Sequence, residues 1–137
     1  MVAKSWSIPS KGSSEMRVDV ITAFPRMLQA VFEESMLGKA REKGLAFLRT
    51  WDLRDFTADK HKTVDDYPYG GGAGMILKPE PLFKAVDAVL AEAEGRPRIL
   101  LMSPQGKMFS QEMAHAFAAE RHLDFLCGHY RGVDERV

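Results

Sequence analysis

Cysteine is almost missing from this sequence: Cys127 stands alone among 137 residues. No intrachain disulfide can form, which suits a reducing compartment and predicts a cytoplasmic protein. Net charge is missing too. Nineteen Lys and Arg balance nineteen Asp and Glu, so no global field steers the chain to nucleic acid or to a membrane surface. Any nucleic-acid contact must come from a local patch such as Lys60, His61 and Lys62, a run that reads equally well as a solvated loop. No apolar stretch approaches the length of a membrane span. The segment 1–15, MVAKSWSIPSKGSSE, lacks the apolar core of a signal peptide and is rich in Ser with Gly and Pro breaks, so it reads as a disordered extension or tag ahead of a domain starting at Met16. Metal-ligand spacing is absent as well. His61, His115, His122 and His129 share none with a cysteine or a carboxylate pair, and no metal site is expected. His115 and His122 are expected on or beside a surface helix. Nucleophile patterns are missing: Ser103 precedes a proline outside any nucleophile elbow, and Cys127 closes LDFLC as a buried small hydrophobe.

What is present is an alternation of strand-like and helix-like stretches over a length that suits about one domain. RVDVITAF (17–24), LAFLRTWDL (45–53), PRILLM (97–102) and LDFLC (123–127) have the β-branched or apolar character of strands. Between them, Met27, Leu28, Val31, Phe32, Met36 and Leu37 recur at helical spacing after Pro25, with Gly38 as a possible break and Gly44 as a stop. A helix is expected from about Glu80, with Leu82, Val86, Val89 and Leu90 on one face and Gly95 as its stop. Another runs from an N-cap at Ser110 with Glu112 in its first turn. Asp134 is a candidate cap for a helix that barely starts. Residues 54–75 have no periodicity. The order β-α-β-loop-α-β-α-β predicts an α/β fold, a mostly parallel sheet with helices on both faces.

In such sheets ligands sit beyond the carboxyl ends of the strands. Two strands end in unusual turns, SPQG after PRILLM and GHYRG after LDFLC. If those strands are neighbours, both turns face one crevice, where Gly106, Gly128 and Gly132 let backbone approach a ligand and Tyr130 adds a flat wall. The turns read equally as ordinary turn residues. A third stretch, YGGGAG (69–74), sits in a long loop with Asp65, Asp66 and the basic patch. Consecutive glycines raise the entropic cost of ordering, so a close approach to a ligand or a lid is expected to need them, with a flexible linker as the plain alternative. Neither a phosphate loop nor a dinucleotide fingerprint fits their spacing.

The blocks AFPRM, DLRDFTADKHKTVDDYPYGGGAGM, LMSPQGK and CGHYRGVDERV, in this order and at these spacings, resemble the bacterial tRNA (guanine-N1)-methyltransferases of the knotted SPOUT class over residues 16–137. The resemblance implies a SPOUT-type Rossmann-like domain. It implies transfer of a methyl group from S-adenosylmethionine to N1 of the guanine just 3′ of the anticodon of tRNA, by a homodimer with active sites at the subunit interface. On it, Leu101, Met102, Ser103, Pro104, Gln105 and Gly106 form the first donor loop, and Gly128, Tyr130, Arg131 and Gly132 the second. Asp65, Gly70, Gly71, Gly72 and Gly74 face the tRNA. Family members most often carry Glu where Arg131 stands. A carboxylate there favours the donor's sulfonium and a guanidinium repels it, which directs Arg131 either to the donor's carboxylate end or outward.

The family also continues well beyond DERV. The resemblance therefore implies a truncated N-terminal domain over 16–137, an incomplete trefoil knot and no C-terminal tRNA-binding domain. It assigns no catalytic residue to this chain, because the general base lies beyond Val137, and it implies an inactive chain when alone. Apolar surface and a strand edge left bare by the truncation predict low stability or self-association. Magnesium is a family expectation that no ligand cluster here suggests. The competing reading is a nucleotide-binding Rossmann-like module without methyl transfer, and the TVDDYPYGGGAGM block argues against it because a generic nucleotide fold has no need of it. A short protein that only dimerises or binds tRNA is a third reading, which zero net charge disfavours.

Overall fold

The apolar runs become strands where they were expected, and the helices lie between them. The computed structural model describes residues 15–68, 71, 73–128, 132–134 and 136–137. In chain order the elements are β1 (Met16–Thr22), α1 (Pro25–Glu33), α2 (Ser35–Glu42), β2 (Ala46–Asp52), a 3-10 turn (Leu53–Phe56), the two-residue strands β3 (Asp65–Asp66) and β4 (Ile76–Leu77), α3 (Pro79–Glu92), β5 (Arg98–Met102), α4 (Gln111–Ala118) and β6 (His122–Cys127). Four strands form one parallel sheet in the order β2-β1-β6-β5, and β3 and β4 form a separate antiparallel pair.

A parallel sheet covered on both faces needs apolar residues on both sides of each central strand. On β1, Ile21 faces a core made with Trp51, Leu126 and the Leu82, Ala85 and Val89 stripe of α3. Val20 and Val18 face the other way, against Phe32 and Leu28 of α1, Leu48 and Phe125. Leu82, Ala85 and Val89 repeat at helical spacing, and full burial of each large one is worth about 1.5–3 kcal/mol. On the α1 face, α4 lies beside β5 and β6 without a fully buried residue of its own. Its Met113 and Phe117 instead border an open apolar groove of about 620 Å³ with Leu100, Leu123 and Phe125.

Three local expectations change. The first helix breaks at Glu34, which is extended, and Ser35, at φ 51°, rather than at Gly38. Gly38 lies inside α2, where a Cβ would stand 2.4 Å from the Glu33 carbonyl oxygen. The glycine therefore permits a break four residues before it. The third helix starts at Pro79 and leaves helical geometry at Ala93, ahead of Gly95. The aperiodic stretch holds most of a 3-10 turn, whose first residue Leu53 packs against α3 in the core, and β3, which pairs with β4 just beyond the stretch. Two-residue strands are too short to leave a periodic signal. The cap at Ser110 is as expected, its side chain accepting from the Met113 N–H.

The sheet also buries charge. His122, expected on or beside a surface helix, opens β6 instead, because LDFLC pairs with β1 from its first residue and places His122 beside Arg17. Its Nε2 lies 2.6 Å from Asp19 Oδ2. Asp19 also accepts from Arg17 Nε at 2.7 Å and from Trp51 Nε1 at 2.7 Å. Burial would raise Asp19, but the hydrogen bonds from His122, Arg17 and Trp51 hold it below its ordinary value. Arg17 also donates to the Glu92 carbonyl at the end of α3, and Arg49 pairs with the Glu92 carboxylate at 2.6 Å.

Candidate functional site

The two unusual turns do leave neighbouring strands. β5 pairs with β6 so that Met102 stands opposite Cys127, and the segments after them emerge side by side. Ser103–Gly106 makes a tight turn, with Gly106 N donating to the Ser103 carbonyl at 3.2 Å and Gln105 N to Ser103 Oγ at 3.2 Å. Pro104 suits the second position of such a turn. A Cβ on Gly106 would meet the Ser103 oxygen at 3.3 Å. After β6, Gly132 at φ 142° turns the chain so that Val133 bridges Leu77 in parallel. Leu77 N donates to the Gly132 carbonyl at 3.0 Å and Asp134 N to the Leu77 carbonyl at 3.2 Å. Leu77 in turn pairs with Asp65, and Lys78 N donates to Val64 at 2.8 Å. The glycine-bearing loop and the second turn are thereby stitched into one small backbone unit.

These segments enclose a cleft of about 610 Å³ at the carboxyl end of β5. Of the expected donor positions, Leu101, Ser103, Pro104, Gln105 and Gly132 line it. Met102 and Gly106 turn toward the apolar groove beside α4, which Leu101 and Ser103 also border. Gly128 lies behind the cleft, where a Cβ would stand 3.8 Å from Val133 and 4.0 Å from Leu77. Tyr130 and Arg131 lie outside the described residues. Of the positions expected to face tRNA, Asp65 is half-buried in β3 and borders none of the clefts described. Gly71 and Gly74 are exposed at φ 83° and 99°, backbone that glycine adopts without strain. Gly70 and Gly72 lie outside the described residues. Pro68 and Ile76, flanking the glycine run, border the cleft. Lys60, His61 and Lys62 are exposed on a loop that Asp59 closes by accepting from Thr63.

Asp134 and Arg136 join the site although the sequence reading gave them no part in binding. Arg136 donates from Nε at 2.8 Å and from a terminal nitrogen at 3.0 Å to the Asp134 carboxylate, and its backbone N–H donates there too. The Asp134 side chain accepting from the backbone N–H two residues on is the geometry of the cap expected there, and Val137 N donates to the Asp134 carbonyl at 3.1 Å. The Arg136 side-chain and backbone bonds hold its carboxyl down at about 2. This pair stands between the larger cleft and a polar pocket of about 280 Å³ bordered by Asp66, Tyr67, Lys78 and Glu80. An acid followed two residues later by an arginine is the one signal that could have marked it. Chemically, the cleft offers turn backbone groups, apolar walls from Leu101, Pro104 and Val133, and one ion pair. Cys127, just behind it, is half-buried, and burial raises its thiol above the ordinary value.

The family model for tRNA (Guanine-1)-methyltransferase TrmD matches residues 16–137. The tRNA (guanine-N(1)-)-methyltransferase of Anoxybacillus flavithermus is 52% identical over 122 residues, covering 89% of this chain and 50% of that protein. The enzyme of the same name from Bacillus cereus matches with the same identity and coverage. Among solved structures, the tRNA (m1G37) methyltransferase from Aquifex aeolicus superposes with a TM-score of 0.82 at 36% identity, over 90% of this chain and 55% of that one. The chain spans about half the length of the curated relatives it matches. On its continuous match from Met16 to Val137, the chain belongs to the tRNA (guanine-1)-methyltransferase TrmD family.

Proposed function

We propose that this chain supplies the methyl-donor half of an S-adenosylmethionine-dependent tRNA methyltransferase acting on N1 of the guanine 3′ of the anticodon, position 37 in the name of the Aquifex relative. The observation that carries the reading is the meeting of Ser103–Gln105 with Gly132–Asp134 in one cleft at adjacent strand ends. The residues fit the donor. A volume of about 610 Å³ lies in the range that takes a nucleoside-sized ligand, and apolar walls with a few convergent backbone groups are the usual makeup of such a site. S-adenosylmethionine, when bound, supplies a methyl group activated by its sulfonium.

The chain's own residues bind and orient. Leu101, Met102 and the Ser103–Gly106 turn hold the adenosyl part, largely through backbone. Gly128, Tyr130, Arg131 and Gly132 complete the donor site from the second turn. Asp65 and the glycines Gly70, Gly71, Gly72 and Gly74 face the target nucleotide, and the Leu77–Val133 bridge keeps that loop in register with the donor cleft. No residue of this chain is assigned the proton-accepting role at guanine N1. The partners are tRNA and a second copy of the chain in a homodimer, and Mg²⁺ is a family-level expectation. Among the described residues no helix is long and apolar enough to cross a membrane, and we assign the protein to the cytoplasm.

Calorimetric titration with S-adenosylhomocysteine, run beside ATP, tests the reading. Saturable binding of S-adenosylhomocysteine, displaced by S-adenosylmethionine and lost in Gly106→Val, is expected. Saturation by ATP instead would favour a plain nucleotide-binding module. A folded chain that binds neither would remove the donor assignment from these turns. The N1-methylguanine content of a tRNA transcript incubated with chain and donor tests the activity itself.

A further inference from the structure

Asp124 is the one described residue whose side chain is sealed from solvent and left without a hydrogen-bond partner on either oxygen. It stands directly beside Asp19 across β1 and β6, on the face that α3 covers, and Asp19 is equally inaccessible. Two adjacent carboxylates in a low-dielectric interior cannot both ionise cheaply. The surroundings decide which one does. Asp19 takes hydrogen bonds from Arg17, Trp51 and His122. An ionised carboxylate only accepts, so with the charge on Asp19 the hydrogen of this contact sits on His122 Nε2. Asp124 receives none of these bonds.

We propose that Asp19 and Asp124 form a buried pair carrying one proton, with the charge on Asp19 and the proton on Asp124, and that release of that proton to solvent loosens the β5–β6 edge. The direction of opening follows from what borders Asp124. On the β1 side lie Asp19 and Arg17, with Arg49 of β2 and Glu92 of α3 already paired to each other. On the other side its register partner is Ile99 of β5, a 43% exposed residue on the sheet's outer strand. The exposed flank at Ile99 is the side on which the proposal places water entry to an ionised Asp124. Arg98, at the start of β5, is engaged with Glu120 and does not neutralise it from there. β5 ends in the Ser103–Gly106 turn, so loosening this edge reaches the cleft. That last link rests on the proposed donor site, whereas the pair itself does not.

Titration agrees in direction. Burial first, then the Asp19 charge, raises Asp124 to about 7, against lesser opposing effects of His122 and Arg17. The unfolded chain has the ordinary carboxyl value near 3.8. Between these two values the folded state holds a proton that the unfolded state has lost, so stability falls as pH rises through this window and levels off above it.

Carbon-detected NMR of the side-chain carboxyl groups, on the unsubstituted chain, tests the pair first. Asp124 is expected to titrate near neutrality while Asp19 stays ionised. An Asp124 that is ionised throughout pH 5–8 overturns the proposal. Hydrogen exchange of β5 amides, corrected for intrinsic rates, is expected to be several-fold faster at pH 8 than at pH 6, and Asp124→Asn to remove the difference. Corrected rates independent of pH in the unsubstituted chain, or a difference that persists in Asp124→Asn, overturn it as well. Neither readout involves the donor, so failure of the donor assignment leaves this test intact.

Discussion

β1 and β5 are parallel strands of one sheet, but they live in different surroundings. β1 is paired on both sides, and Ile21 near its carboxyl end is completely buried between β2, β6 and α3. Among the described residues β5 is paired on one side only, and its Ile99, Leu101 and Met102 are 43%, 43% and 52% exposed. The stable half of the molecule therefore has few ligand groups, and the half with the cleft has the weaker packing. Elements that bind and release ligands are drawn from the less stable end of a fold. Together with the open groove beside α4, these β5 residues form the exposed apolar surface on this side of the sheet.

Substitutions sharpen the contrast. The largest effect is expected at the buried charge of β1. Asp19→Ala leaves Arg17, His122 and Trp51 without their shared acceptor and should destabilise by about 3–5 kcal/mol, read as a lowered urea midpoint. Next, Leu82→Ala, in the core under α3, should cost about 2–5 kcal/mol, whereas Leu101→Ala on β5 should cost under about 1.5 kcal/mol. Equal losses would erase the difference between the two halves. Gly38→Ala forces a Cβ against the Glu33 backbone and should lower stability by about 1–3 kcal/mol, the cost of overpacking. Ser110→Ala, which removes the α4 cap, should cost about 1 kcal/mol. Asp134 gives the smallest and most local signature. Its depressed carboxyl contributes stability that is present above about 3.8 and is lost only as pH falls through about 2. The Asp134–Arg136 pair should therefore persist at pH 4, visible as an unshifted Asp134 carboxyl resonance.

The sequence made the strands and most helix starts legible because their signals are local. β-branched runs mark β1, Pro25 opens α1, and Ser110 caps α4. The adjacency of the SPQG and Gly132 segments was legible only as a condition, since the order β2-β1-β6-β5 is a property of the assembled sheet. The stitch between Leu77 and Val133 joins residues far apart in the chain through backbone alone, and no side-chain pattern announces it. Asp19 and Asp124 lie within the strand runs RVDVITAF and LDFLC, and the sequence reading gave neither a role. Which of them is satisfied depends on Trp51, brought in from β2, and on His122 at the start of β6.

The most direct test of the central claim is an amide NMR titration of the chain with S-adenosylhomocysteine. Saturable shifts are expected together at Ser103–Gly106 and at Gly132–Asp134, with the same dissociation constant. Shifts confined to the groove lined by Met113 and Phe117, or to only one of the two turns, would contradict a single donor cleft at the ends of β5 and β6.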